Sequence, residues 1–219
     1  ARINGYQFHV DLLAGKEKWT DAKVAEVFKY FEMMIPYMNK NVLDISWEGM
    51  RDLLLQKKCG AMMMGSWFSG DFKTLSQADY DDLWIVPFPE INPTHGRDTI
   101  DAPIDGLCVA ANGANPEGGK ALVEWLASAE GMQARLDSGN TFTSANKGQD
   151  TSSYDPFQNQ QLAVMGEAKY ITQFLDRDTR QDFANPVVAP AIQNFLRAPK
   201  DITKILEGVQ AQWDALPAL

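Results

Sequence analysis

The stretch KKCGAMMMGSWFSGDF, Lys57–Phe72, runs an apolar segment straight into a polar loop. Gly60 reads as a helix stop, and Ala61 to Met64 as a short buried strand. The run breaks at Gly65. Trp67 and Phe68 then fall among Gly65, Ser66, Ser69, Gly70 and Asp71, where no core periodicity exists. Large rings in such a loop need a partner, and a ligand that stacks on them is one candidate.

Working outward, Thr20-Asp21 predicts a helix start. The apolar positions Val24, Val27, Phe28, Phe31, Met34 and Ile35 form a helical stripe for a core. Ser46 predicts the cap of a second helix, with Met50, Leu53 and Leu54 on its inner face. LWIVPFPEINP, Leu83–Pro93, reads as a strand stopped by Pro87 and Pro89. A further strand is expected from Leu107 to Ala110. Asn115 then caps a helix with Pro116 in its first position, and Leu122, Trp125 and Leu126 face inward. Ile202, Ile205, Leu206, Val209, Trp213 and Leu216 mark a terminal amphipathic helix. The polar, glycine-bearing stretch Asp137–Ser153 is the candidate linker. Short strands alternating with longer helices give an α/β class.

The 219 residues are 45% hydrophobic and 22% charged, which suits a globular chain of one large domain or two lobes. A formal net charge of −9 argues against nucleic acid as a partner, because phosphates need a basic face. No run of 18 apolar residues is present. The chain opens in mid-pattern without an initiating Met, so it reads as a mature fragment or as a chain lacking an N-terminal portion. Cys59 and Cys108 show no metal spacing and no CxxC, and each sits in an apolar run, which favours two buried thiols over a disulfide.

No catalytic arrangement stands out. His9 and His95 lie far apart, GxSxG and HExxH are absent, and GANPEGGK lacks the spacing of a phosphate loop. Neither a cofactor nor a metal is expected. Aromatics and carboxylates at the predicted ends of elements remain: Trp47, Trp67, the pair Asp101 and Asp105 around API, and the run Asp176-Arg177-Asp178. Ligands of open α/β folds bind near strand ends. Sugars require this mixture, since rings cover their C–H faces while carboxylates and arginine hydrogen-bond their hydroxyl pairs. Bland readings stand beside it. Trp47 is equally a helix-start residue packed on a core, Asp101 and Asp105 suit turn caps, and Asp176-Arg177-Asp178 suits a local ion-pair cluster.

The ordered set SWEGMRDLLLQKKCGAMMMGSW, IVPFP, DAPIDGLCVAANGANPEGGKALVEWLAS and QFLDRDT resembles the extracytoplasmic solute-binding proteins of ABC transporters. Within them it is most similar to the carbohydrate-binding type that includes maltose- and α-glucoside-binding proteins. The resemblance implies a periplasmic-binding-protein-like fold of two α/β lobes that close on sugar, of which this chain is the C-terminal portion. Residues 1–105 and 151–219 would then belong to the C-terminal lobe, and 106–150 would cross to the N-terminal lobe. It further implies a non-enzymatic component that delivers a di- or oligosaccharide to a membrane permease, placed in the periplasm or on the cell surface as a lipoprotein. The chain's own N-terminal lobe, as a separate chain, would be a further partner. Trp47, Trp67, Asp105 and Arg177 match the family's sugar-contacting positions, and Gly65, Phe68, Asp101 and Asp176 accompany them as expected ligand-binding residues. Two alternatives remain at this stage: a glycoside hydrolase, which needs two carboxylates about 5–10 Å apart, and a receptor for a polyol or other non-sugar solute.

Overall fold

The structure, a computed structural model, describes residues 1–217. Its elements begin with α1 (Gly5–Leu13), α2 (Ala22–Met34) and α3 (Trp47–Leu55), then a 3-10 segment (Ser66–Thr74) and the short α4 (Gln77–Asp81). Next come β1 (Thr99–Asp101), α5 (Pro116–Ala127), α6 (Ala129–Asp137) and α7 (Pro156–Glu167). The order ends with β2 (Tyr170–Thr172), α8 (Leu175–Asp178), α9 (Gln181–Phe183), α10 (Ala189–Arg197) and α11 (Ile202–Asp214). Helix starts follow the expected chemistry. Asp21 accepts from the Lys23 amide, Ser46 from Gly49, and Asn115 from Gly118 with Pro116 next in line.

The strands depart from expectation. Ala61–Met64, Leu83–Val86 and Leu107–Ala110 are not strands. Each is an apolar run that joins no ladder among the described residues, and Met63, Trp84, Val86 and Leu107 are exposed. The Ile85 amide donates to the Gln160 side chain, 2.7 Å away, in place of a ladder. Among the described residues the sheet is β1 and β2, paired in parallel with Thr99 opposite Tyr170 and Asp101 opposite Thr172. The α/β class therefore holds in a helix-rich form.

The chain forms two compact units. The first comprises Ala1–Met63, Pro89–Pro103 and the stretch from Lys169 onward; the second comprises Met64–Phe88 and Ile104–Ala168. Chain thus passes between units after residues 63, 88, 103 and 168, whereas the sequence reading placed its divisions at 105 and 150. Residues 218–219 of the expected last segment lie outside the described residues.

The core of the first unit gathers Leu13, Trp19, Val24, Phe183, Val187, Val188, Leu206 and Val209. The predicted stripes of α2 and α11 supply three of these, Val24, Leu206 and Val209, with Phe28, Ile202, Trp213 and Leu216 packed against them. Between α9 and α10 the backbone widens into a π-type turn over Ala184–Val188, where the Ala189 amide donates to the Ala184 carbonyl. Pro186 sits inside it, has no amide to give to the ladder, and so favours the wider spacing. That turn points Ala184, Val187 and Val188 inward. Gly15 has φ +74, and a Cβ there would lie 2.2 Å from the Trp213 ring, so both its backbone angle and the close approach require glycine.

In the second unit Phe68 packs edge-on to Phe72, and Phe72 and Tyr80 both pack on Phe157, with centroids 4.8–5.0 Å apart. The stretch expected as a linker belongs to this unit. Lys73 donates to the Gly139 carbonyl, the Gln158 amide to the Phe142 carbonyl, and Asn146 to the Ala127 carbonyl. Polar side chains from the rest of the unit thus bond the backbone of the stretch, and Asn146 bonds backbone outside it, which a composition argument cannot anticipate. Trp125, expected inside, is exposed. Cys59 and Cys108 are free thiols as expected but are not buried, because the apolar runs that carry them lie at the surface.

Phe183 is fully buried between Trp19 and Trp213, at 5.4 and 4.7 Å between centroids. Phe183→Ala is expected to destabilise the chain by about 3–5 kcal/mol. Urea unfolding followed by tryptophan fluorescence checks it, and a loss below about 1 kcal/mol would show that this ring is dispensable.

Candidate functional site

The expected residues divide between the units. Trp47, Asp101, Asp176 and Arg177 lie in the first; Gly65, Trp67, Phe68 and Asp105 lie in the second.

In the first unit the β1–β2 ladder organises the polar groups. The Lys169 and Tyr170 amides both donate to the Asp98 carbonyl, and the Ala102 amide donates to the Thr172 carbonyl, closing the ladder at both ends. Lys169 Nζ reaches Asp98 Oδ2 at 2.8 Å, and Arg2 donates to the Thr99 carbonyl. Thr172 Oγ1 lies 3.3 Å from the Ile100 carbonyl and 3.5 Å from Asp101 Oδ1. Asp178, from α8, accepts the Gln173 amide at 2.9 Å and stands 3.5 Å from His9 Nε2 on α1.

The electrostatics follow from this crowding. Partial desolvation pushes the Asp101 carboxyl up to about 6; Thr172 opposes the rise, while Asp178 and Asp176 add to it. Burial holds the His9 imidazole below its ordinary range, against the pull of Asp178. Asp101, Asp176 and Asp178 therefore share one electrostatic neighbourhood. The Arg177 guanidinium lies over the Phe174 ring at 5.5 Å, and the Asp176 carbonyl accepts from the Gln181 side chain. Trp47 sits on a different element as the first residue of α3. It is 44% exposed, with the Arg51 guanidinium 5.6 Å from its ring.

In the second unit Gly65 and Trp67 form a pair. A Cβ at Gly65 would fall 1.9 Å from the indole, so the ring lies across backbone that only glycine leaves bare. Trp67 stays 50% exposed in that position. Its neighbour Phe68 turns the other way into the unit's core, and its role there is packing. Asp105 is exposed in the irregular segment after β1. The opening stretch thus sends one ring outward and the other inward.

Sequence reasoning missed Tyr6, His9, Tyr170 and Thr172. The Tyr6 and Tyr170 rings stack with centroids 4.5 Å apart and 8° between planes. The alternation in KYIT was a strand signal for Tyr170 and Thr172, but nothing local ties Tyr170 to a residue on α1. A separate concavity of about 450 Å³ in the first unit is lined by Pro186, Pro190, Arg197, Asp201, Lys204 and Gly208, and holds none of the expected residues. Among the described residues no group of three or more His, Cys, Asp or Glu is arranged to hold a metal ion. No helix among them is long and apolar enough to cross a membrane.

The family profile described as bacterial extracellular solute-binding protein matches residues 3–133, more than half of the chain. The crystal structure of the bacterial solute receptor AcbH, whose description gives it an exclusive preference for β-D-galactopyranose, superposes with a TM-score of 0.90 at 30% identity. The match covers 97% of this chain and 54% of that receptor, so the chain spans about half of the receptor's length. No curated protein sequence matches the chain. The chain belongs to the bacterial extracellular solute-binding protein family.

Asp101 supplies a pH test. Its folded-state value lies above that of an unfolded aspartate, so the folded chain binds the extra proton between about pH 4 and 6. Stability falls as pH rises through that window. Asp101→Asn removes the ionised form. Its melting temperature relative to the unsubstituted chain is therefore expected to increase from pH 4 to pH 6 and to level off above. A flat difference in calorimetry across pH 4–7 would contradict the raised value.

Proposed function

We propose that this chain is the larger part of the sugar-binding body of an extracytoplasmic receptor that passes a carbohydrate to an ABC-type permease. The observation that carries the reading is the 0.90 TM-score over 97% of the chain with a receptor described as binding a pyranose. The unit containing α1–α3 and the ladder corresponds to the C-terminal lobe of the family's fold. The unit containing Trp67 and α5–α7 corresponds to part of the N-terminal lobe.

Trp67 serves as a stacking ring and Gly65 as the position that seats it. Trp47 is a second ring, and Asp101, Asp105, Asp176 and Arg177 supply hydroxyl contacts. A di- or oligosaccharide is the first reading of the ligand. A single galactopyranose is the second reading, favoured by the preference described for AcbH. Binding without turnover is the expected activity, and the periplasm or the cell surface, with a lipid anchor, the expected place.

Isothermal calorimetry against galactose, glucose, maltose, trehalose, sucrose and a maltodextrin tests the reading. Binding of at least one sugar is expected, with no hydrolysis of glycosides on incubation. Trp67→Ala should then weaken binding by about 1–3 kcal/mol, or roughly 5–150-fold. Unaltered affinity in a folded Trp67→Ala chain would remove Trp67 from the site.

A further inference from the structure

The ladder has two faces, because side chains alternate along a strand. Tyr170 and Thr172 share one face of β2, and the parallel register puts Thr99 and Asp101 on the same side of β1. The 3.5 Å approach of Thr172 Oγ1 to Asp101 Oδ1 agrees with that placement. On this face the two threonines are buried, while Tyr170 and Asp101 reach solvent at opposite corners. Their separation is on the order of 8 Å, the diagonal of about 4.8 Å between strands and about 6.6 Å along them.

Tyr170 is built as a rigid surface. Tyr6 covers one side of its ring in a near-parallel stack, and the residue is nonetheless 45% exposed. The opposite side of the ring therefore meets water. A ring backed by another ring is immobilised before any ligand arrives, so little side-chain entropy remains to be lost on binding. The supporting strand is held by the paired amides on Asp98 and by the Lys169–Asp98 ion pair. The braced ring and the Asp101 carboxylate thus reach solvent on the same face of the ladder.

The geometry points to a pyranose subsite in this unit, with the open face of Tyr170 as the stacking platform, Tyr6 as its backing, and Asp101 as the acceptor for a ring hydroxyl. It rests on the carbohydrate reading above and adds residues that reading does not contain. The diagonal between the two backbone positions is of the size of one sugar with its hydroxyls. The chemistry at its two ends matches the two surfaces of a pyranose, an apolar C–H face and a hydroxyl edge.

The test titrates the same sugar panel into the chain and into Tyr170→Phe, Tyr170→Leu and Trp67→Ala, with folding checked by circular dichroism. Tyr170→Phe, which keeps the flat ring, is expected to bind like the unsubstituted chain. Tyr170→Leu, which keeps apolar bulk but loses the ring, is expected to bind roughly ten-fold more weakly. Unchanged affinity in Tyr170→Leu, with Trp67→Ala weakened, overturns the subsite and leaves the carbohydrate reading intact. No sugar bound by the unsubstituted chain overturns both. Should Tyr170→Leu not fold, the ring signals of ¹³C-tyrosine in the unsubstituted chain decide: those of Tyr170 shift on titration with the bound sugar, and signals that stay in place overturn the subsite.

Discussion

Three residue pairs, Thr99–Tyr170, Ile100–Ile171 and Asp101–Thr172, hold together what the first unit places in its polar neighbourhood. The paired residues are 71 apart in sequence, and the chain leaves this unit after Pro103 and returns at Lys169. A two-stranded ladder is marginal alone. Here α1 braces it through the Tyr6–Tyr170 stack, and the Asp98 carbonyl collects two amides at its start. Without that register Thr172 would not face Asp101, and α8 would not carry Asp176 and Asp178 into the same field. The raised Asp101 value is the electrostatic trace of this arrangement, since carboxylates drawn together out of water disfavour one another's charge.

The helical body beneath it depends on a different constraint. Pro186 interrupts the helix that begins at Gln181, and the wide turn it sits in places Ala184, Val187 and Val188 in the core beside Phe183. Trp19, from the turn between α1 and α2, and Trp213 of α11 close on that ring. Gly15 lets Trp213 come in by having no side chain of its own. Phe195, one helix further on, meets Phe28 and Phe31 of α2 in the same manner. Rings from distant segments interlock, and few of their positions tolerate a change of volume.

In the second unit the same economy of glycine acts at the surface. Gly65 removes the Cβ that would collide with Trp67, and the indole lies over bare backbone while half of the residue remains accessible. Phe68, next in the chain, anchors the loop to Phe72 and through it to Phe157. The loop that carries the exposed ring is thereby fixed by the buried one, which is how a short segment presents an aromatic surface without losing it to the core.

The sequence by itself determined four of the helices, α2, α3, α5 and α11. Caps and 3.6-residue stripes are local, so Asp21, Ser46 and Asn115 and the stripes of α2 and α11 were legible, as was the ordered resemblance to solute-binding proteins. Trp67 as an exposed ring was legible too, because glycine and serine around it left no core pattern. The strands were not. An apolar run becomes a strand only when a neighbouring strand supplies a ladder of hydrogen bonds, and among the described residues none pairs with Ala61–Met64, Leu83–Val86 or Leu107–Ala110. Tertiary structure alone decided that Asp137–Ser153 is tied into a unit, that Phe68 is core, and that Trp125 and both cysteines lie outside it. It also decided that Tyr6 meets Tyr170 and Asp101 meets Thr172, since pairings across the chain depend on register and packing, and no local pattern encodes a distant partner.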